Sequence, residues 1–208
     1  MNVLLINGSC HEKGCTFTAL LEVAGALEAE GIDTTLVQLG SKPVLDCIGC
    51  RKCSENGGRC IFNNDPINGI LDLAHEADGF VFGSPVYYAH PSGRILSALD
   101  RLFYAGGREF AHKPGAAVVS ARRGGTTASV DVLNKYFTIC QMPVVSSTYW
   151  NMVHGNTPDE VKKDLEGLRT MRNLGRNMAW LLKCIEAGKA VGVEAPQAES
   201  GPMTNFIR

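Results

Sequence analysis

Neither sign of charge is in excess along this chain: 20 Lys and Arg stand against 21 Asp and Glu, a net charge of −1. That excludes the broad basic surface that a nucleic acid or an anionic membrane would require of its partner. Long apolar runs are missing as well. None approaches the roughly 20 residues of a membrane span. The first, Val3–Ile6, is broken at once by Asn7-Gly8-Ser9, so neither a secretory signal nor a membrane anchor is expected. The five histidines show no metal-ligand spacing, and no Ser/His/Asp constellation or acidic pair stands out. Internal repeats and low-complexity blocks are lacking too. What is plentiful is cysteine, eight in 208 residues. Without an export signal these thiols point to a reducing, cytoplasmic location. Four of them lie between Cys47 and Cys60, which reads as metal or redox chemistry before it reads as disulfides.

The length and an apolar content of 45% suit one domain with a real core. Val3-Leu4-Leu5-Ile6 is strand-like, and Leu20, Val23, Ala24 and Leu27 then fall at i, i+3, i+4 and i+7 of a helix closed by Gly31. Thr34–Leu39 reads as a second strand, and Gly40–Asn64 as an irregular insertion holding the cysteine cluster. Asp65-Pro66 is a helix start, with Asp at the N-cap. Gly79–Gly83 and Gly115–Ser120 are apolar on both faces, as central parallel strands are. Ser92 caps a helix between them, and another follows Thr126. Val144–Ser147 reads as a fifth strand, with Tyr149–Asn156 as its exit loop. A last helix starts at Thr157-Pro158 and is expected over 159–187, with Leu165 on its inner face; 188–208 reads as an arm or tail. The expected domain is therefore 1–187, with 40–64 as an insertion.

Strands alternating with helices give an α/β fold, a doubly wound parallel sheet with right-handed crossovers. A six-stranded dinucleotide fold would carry Gly-x-Gly-x-x-Gly after its first strand. Here Gly8 and Gly14 lack that spacing, and five strands suit the flavodoxin-like order 2-1-3-4-5. That order gathers three loops at one sheet edge. In the first, Ser9, His11, Gly14, Cys15 and Thr16 form a cradle for phosphate, because hydroxyls meet the unpaired N–H groups of a helix start. In the second, Pro85, Val86, Tyr87 and Tyr88 offer a stiff backbone and aromatic surface beside an isoalloxazine ring. In the third, Ala121, Arg122, Arg123, Gly124 and Gly125 offer N–H groups and positive charge, which stabilise the anionic reduced flavin. Together the loops point to FMN. The bland alternatives are a tight turn, half-buried packing tyrosines and a solvated arginine pair. Cys15 sits at a helix N-terminus, where a thiol's pKa falls; its expected role is local to the loop. No side chain is expected to act as an acid or base.

The chain resembles the flavodoxin-like NAD(P)H-dependent FMN reductase family, and especially its branch that includes the iron–sulfur flavoproteins. The resemblance rests on Gly8-Ser9 with Gly14-Cys15-Thr16, the cysteine cluster, Gly83–Tyr88, Leu99-Asp100-Arg101, Arg123-x-Gly125 and Tyr149-Trp150-Asn151, in the family's order across 1–155. It implies FMN on the three loops and NAD(P)H as the usual hydride donor. It also implies a small acceptor such as a quinone, flavin, azo or nitro compound, and a homodimer or homotetramer. Where the family commonly has Gly-Ser-Pro-Arg, this chain has Gly8-Ser9-Cys10-His11. An imidazole loses its charge near neutrality where a guanidinium does not, so FMN affinity is expected to fall as pH rises.

Cys47-x-x-Cys50-x-x-Cys53 followed by Cys60 brings four thiolates together on a turning backbone, with Arg51, Lys52 and Arg59 to offset their charge. A self-contained [4Fe–4S] cluster fits this spacing, a tetrahedral zinc staple also fits it, and free thiols in a plain loop are the third reading. The cluster reading carries an alternative function: an iron–sulfur flavoprotein electron carrier that exchanges electrons with ferredoxin. A zinc-stapled flavin module without turnover is the remaining option.

Overall fold

The computed structural model describes residues 1–202, Thr204 and Phe206. Five parallel strands form its sheet: β1 (Asn2–Asn7), β2 (Asp33–Gln38), β3 (Gly79–Tyr87), β5 (Gly115–Ala121) and β6 (Met152–His154). They stand in the order β2-β1-β3-β5-β6. A two-residue strand, β4 (His90–Pro91), folds back antiparallel on the end of β3. With that hairpin set aside, the order is the expected 2-1-3-4-5. The helices are α1 (Cys15–Ala29), α2 (Ile67–Glu76), α3 (Gly93–Gly106), α4 (Thr126–Ile139), α5 (Pro158–Val161) and α6 (Leu165–Ala190). No helix among the described residues is long and apolar enough to cross a membrane.

Alternation along the buried strands sends their side chains to two cores. Leu4, Ile6, Phe80, Phe82, Ala117 and Val119 pack against α2, α3 and α4. Val3, Leu5, Val81, Ala116 and Val118 pack against α1 and α6. The scarce aromatics are concentrated in the first core, where Phe82 stacks on Phe137 at 5.0 Å and Phe103 meets Phe82 and Phe110 edge-on. Phe82, Phe110 and Phe137 are fully buried and contribute about 1.5–3 kcal/mol each, while Phe103 is partly buried. Ser92 caps α3 as expected, its hydroxyl accepting from the Ile95 N–H. Gly31 ends α1 with a left-handed turn, φ +77°, and the Ile32 N–H returns to the Leu27 carbonyl.

Several expectations are corrected. The fifth strand is not Val144–Ser147. Val144 makes only an isolated bridge to Gly115. Ser147 and the Ser146 carbonyl are then drawn off the sheet by hydrogen bonds to Thr170 and Asn177 of α6, and the chain returns to β5 only at Met152. The last helix is broken. Lys162–Asp164 separates α5 from α6, and Asp164 caps α6 through the Gly167 N–H; that break leaves Leu165 exposed instead of inside. α6 also runs to Ala190, three residues into the expected arm, and part of that arm, at 203, 205, 207 and 208, lies outside the described residues. The exit loop after Gly83 is largely strand, since β3 continues to Tyr87. Asp65 caps the start of α2 as expected, its Oδ1 accepting from the Ile67 N–H at 3.2 Å, although the regular helix begins one residue later than expected, after Pro66, and the same carboxylate also receives Arg101.

Candidate functional site

The first loop is fixed from below by its own strands. Asn7 Oδ1 accepts from the Ser9 N–H at 3.0 Å, and Gln38 Nε2 donates to the Ser9 carbonyl at 2.8 Å. These residues face each other across β1 and β2, so Ser9 is held through both its N–H and its carbonyl. Gly8 lies too close to its neighbours for a side chain: a Cβ there would stand 2.6 Å from Ile95 Cβ and 2.9 Å from the Gly83 carbonyl. The Ser92 hydroxyl donates to the Gly8 carbonyl, and the Ser92 N–H donates to Ser84 Oγ, which ties the first loop to the hairpin β3–β4. Ser9 is buried and its hydroxyl accepts from the His11 N–H. Thr16 is buried too, with its hydroxyl 2.8 Å from that of Ser120 on β5. His11 and Lys13 are exposed at the lip. Gly14, the N-cap of α1, brings no side-chain cap, so the first-turn N–H groups stay available to an anion. Cys15 departs from expectation: burial pushes its thiol pKa up, outweighing the backbone hydrogen bond that acts the other way.

The second and third loops meet over a cavity of about 330 Å³ lined by Val86, Tyr88, Ala121, Arg122, Arg123 and Gly124. Pro85, Val86 and Tyr87 end β3; Tyr88 is fully exposed in a left-handed conformation, φ +64°. The Tyr87 hydroxyl lies 3.1 Å from Cys10 Sγ, a direct link between the first and second loops. Partial burial, then the Cys10 thiol, hold that phenol above its ordinary range. Gly125, at φ +88°, is the N-cap of α4, again without a side-chain cap. A Cβ on it would stand 2.8 Å from Val86 Cγ1, so the third loop closes tightly on the second. His154 Nε2 sits 3.1 Å from the Arg123 carbonyl, which holds this loop from the β6 side.

The four cluster cysteines lie apart from this edge. Cys47, Cys50, Cys53 and Cys60 line one small cavity of about 30 Å³ with Ile48, Ile61, Phe62 and Arg101 among its walls. Among the described residues no three His, Cys, Asp or Glu side chains are placed to hold a single metal ion. The segment is held by side chains of α2 and α3: Arg94 donates to the Ser41 and Lys42 carbonyls at its start, and Asn68 and Arg101 hold the part around the cysteines. Asn68 accepts from the Cys60 N–H and donates to the Cys60 carbonyl, both at 2.9 Å. Arg101 is 2% exposed. It grips the Asp65 carboxylate with both Nη atoms, donates to the Leu45 and Phe62 carbonyls at 3.2 Å each, and places Nε 3.2 Å from Cys60 Sγ. Burial alone would pull the guanidinium pKa down; Asp65 and Cys60 outweigh it and push it up.

Of the cations expected beside the thiols, Arg51 lines the cavity, but Arg59 is paired with Asp72 on the surface. The cation that touches a sulfur is Arg101. Asn68, Asn7, Gln38 and Ser120 were also not singled out by pattern. Arg101 left two signals in the sequence: it closes the Leu99-Asp100-Arg101 run that carries part of the resemblance, and it is a charge beside Ala98 and Leu102 on the buried stripe of α3.

Comparisons agree with this geometry. The family described as NADPH-dependent FMN reductase matches residues 1–157. An iron–sulfur flavoprotein of Methanocaldococcus jannaschii is 34% identical over 194 residues, covering 89% of this chain and all of that one. An FMN-dependent NADPH-azoreductase of Staphylococcus saprophyticus is 34% identical over 105 residues, 49% of this chain and 52% of its own. Among solved structures, a flavodoxin from the domain Archaea superposes with a TM-score of 0.59 at 15% identity, covering 88% of this chain and 99% of that one.

Proposed function

The chain belongs to the NADPH-dependent FMN reductase family and is an FMN-dependent oxidoreductase, and we propose that it is one of its electron-transferring members, with FMN on the three-loop edge and a [4Fe–4S] cluster on Cys47, Cys50, Cys53 and Cys60. When bound, the flavin exchanges electrons in pairs or singly and the cluster one at a time, which suits exchange with a one-electron partner protein such as ferredoxin.

The chain's own residues support each part. The uncapped start of α1 presents N–H groups to a phosphate, with His11 and Lys13 at the lip. Pro85–Tyr87 supply a stiff wall, and Tyr88 an exposed ring over the cavity they share with Arg122–Gly124. The uncapped start of α4 at Gly125 aims donors at that cavity's rim, where they favour negative charge. The observation that carries the cluster reading is the convergence of four thiols on one cavity with apolar walls and a buried guanidinium. The expected homodimer or homotetramer belongs to the same proposal. Tyr149 and Trp150, packed edge to face at 5.0 Å and more than half exposed before β6, are the apolar surface it would cover.

The second reading, hydride from NAD(P)H passed through FMN to a small acceptor, is favoured by the open cavity beside Tyr88 and by the name of the azoreductase relative. One anaerobic purification separates the two. Flavin, iron, acid-labile sulfide and zinc are measured, and bleaching by NADH, NADPH and reduced ferredoxin is compared. The proposal expects flavin, about four iron and four sulfide per chain, and bleaching by ferredoxin. Flavin without iron or sulfide, with rapid bleaching by NADPH, selects the second reading. Absence of flavin defeats both.

A further inference from the structure

Arg101 carries more of the cysteine segment than any ion pair requires. A guanidinium has five N–H donors, and all five are used here: two on Asp65, one each on the Leu45 and Phe62 carbonyls, and Nε–H on Cys60 Sγ. The Asp65 pair needs only the two Nη atoms. The fork is planar and rigid, so once Asp65 has oriented it, the direction of Nε–H follows, and that donor points at a sulfur 41 residues away in sequence. Leu45 lies before the first cluster cysteine and Phe62 after the last, so one side chain closes the segment at both ends. The Phe62 ring adds a face 5.4 Å from the guanidinium carbon.

We infer that Arg101 is a positioning residue for the four-cysteine site, which holds Cys60 in place and, through a charge-assisted hydrogen bond to its sulfur, raises the reduction potential of the cluster. This rests on the cluster reading of the preceding section. The physical reason is that reduction adds negative charge to the group the thiolates hold, and a fixed buried cation in contact with one of them stabilises the added charge. Asp65 tempers the effect, because its carboxylate neutralises the same guanidinium from the other side.

That arrangement predicts shifts of opposite sign. Arg101→Lys keeps a cation near Asp65 but removes the Nε donor, so the potential falls. Asp65→Asn leaves Arg101 its full charge against Cys60, so the potential rises. Each shift is expected to change the oxidised-to-reduced ratio about tenfold at a given potential, ~59 mV for a one-electron couple. A merely structural role would move both variants the same way. The experiment uses the full chain purified anaerobically, with iron and sulfide measured first, and then a dithionite titration with mediator dyes followed by electron paramagnetic resonance. Opposite shifts support the inference; loss of iron from both variants with flavin retained is the outcome of a merely structural role and overturns the effect on the potential. Two variants at the wild-type potential, two shifts of one sign, or loss of flavin together with iron overturn it while leaving the cluster reading standing. A wild-type chain without iron or sulfide overturns the cluster reading itself, and this inference with it.

Discussion

At the three-loop edge, what is offered to a ligand is mostly backbone: N–H groups at the starts of α1 and α4, and the ends of β1, β3 and β5 that carry them there. Between Gly40 and Pro66, by contrast, there is only one three-residue turn of helix, Lys52–Ser54, and the chain takes its shape from Asn68, Arg94 and Arg101 on the neighbouring helices. The first region is positioned by the sheet, so it should tolerate changes in exposed side chains and fail when backbone approach is blocked. The second is positioned by side chains, so single polar substitutions should undo it while the sheet stands.

The largest effect is expected from Arg101→Met. It leaves the Asp65 carboxylate, whose side chain is 4% exposed, buried without its partner, a loss of about 3–5 kcal/mol, read as a lower urea midpoint. If the two regions are as separate as proposed, the surviving folded protein keeps flavin and loses iron. Gly8→Val attacks the other side. Its Cβ would meet Ile95 and the Gly83 carbonyl, overpacking that costs about 1–3 kcal/mol. Flavin content should drop steeply with iron retained, and equal loss of both would contradict the comparison. Asn68→Leu removes the reciprocal pair to the Cys60 backbone, leaving groups unsatisfied at about 1–3 kcal/mol; iron and sulfide should fall while the flavin spectrum stays. The smallest effect is expected from His11→Arg, an exposed change that should alter stability by less than about 0.5 kcal/mol. A fixed charge at the lip should raise FMN affinity several-fold. Fluorescence titration across the neutral range checks this, and identical curves for the two proteins would remove His11 from the site.

The regular parts of the fold were legible because their signals are local. Val3–Ile6, the helical spacing from Leu20 to Leu27, Gly31 and the Ser92 cap each depend on neighbours a few residues away, and each stands where the pattern placed it. Val144–Ser147 misled because β propensity cannot register the pull of Thr170 and Asn177 on a strand that would otherwise continue. The long C-terminal pattern hid its break for a similar reason: Asp164 reads as one more polar residue until its carboxylate is seen to bind both the Gly167 and His154 N–H groups. At the candidate site, the glycines and the cysteine spacing were readable, but the direction of the hydroxyls was not. Thr16 turns inward to Ser120, a contact between the first loop and β5 that no spacing reveals.

The sequence alone determined which chemistry this protein has available. Alternating apolar strands and helices dictate a doubly wound sheet, short Gly-rich loops follow its strands, and four closely spaced thiols form a set. These are consequences of periodicity and backbone freedom, which act over a few residues. Only the tertiary structure decided which cation stands against those thiols, because a hydrogen bond between Arg101 and Cys60 depends on how α3 packs beside an irregular segment and on Asp65 turning the guanidinium toward it. Distance in space, and the cost of leaving a buried charge unpaired, made that choice.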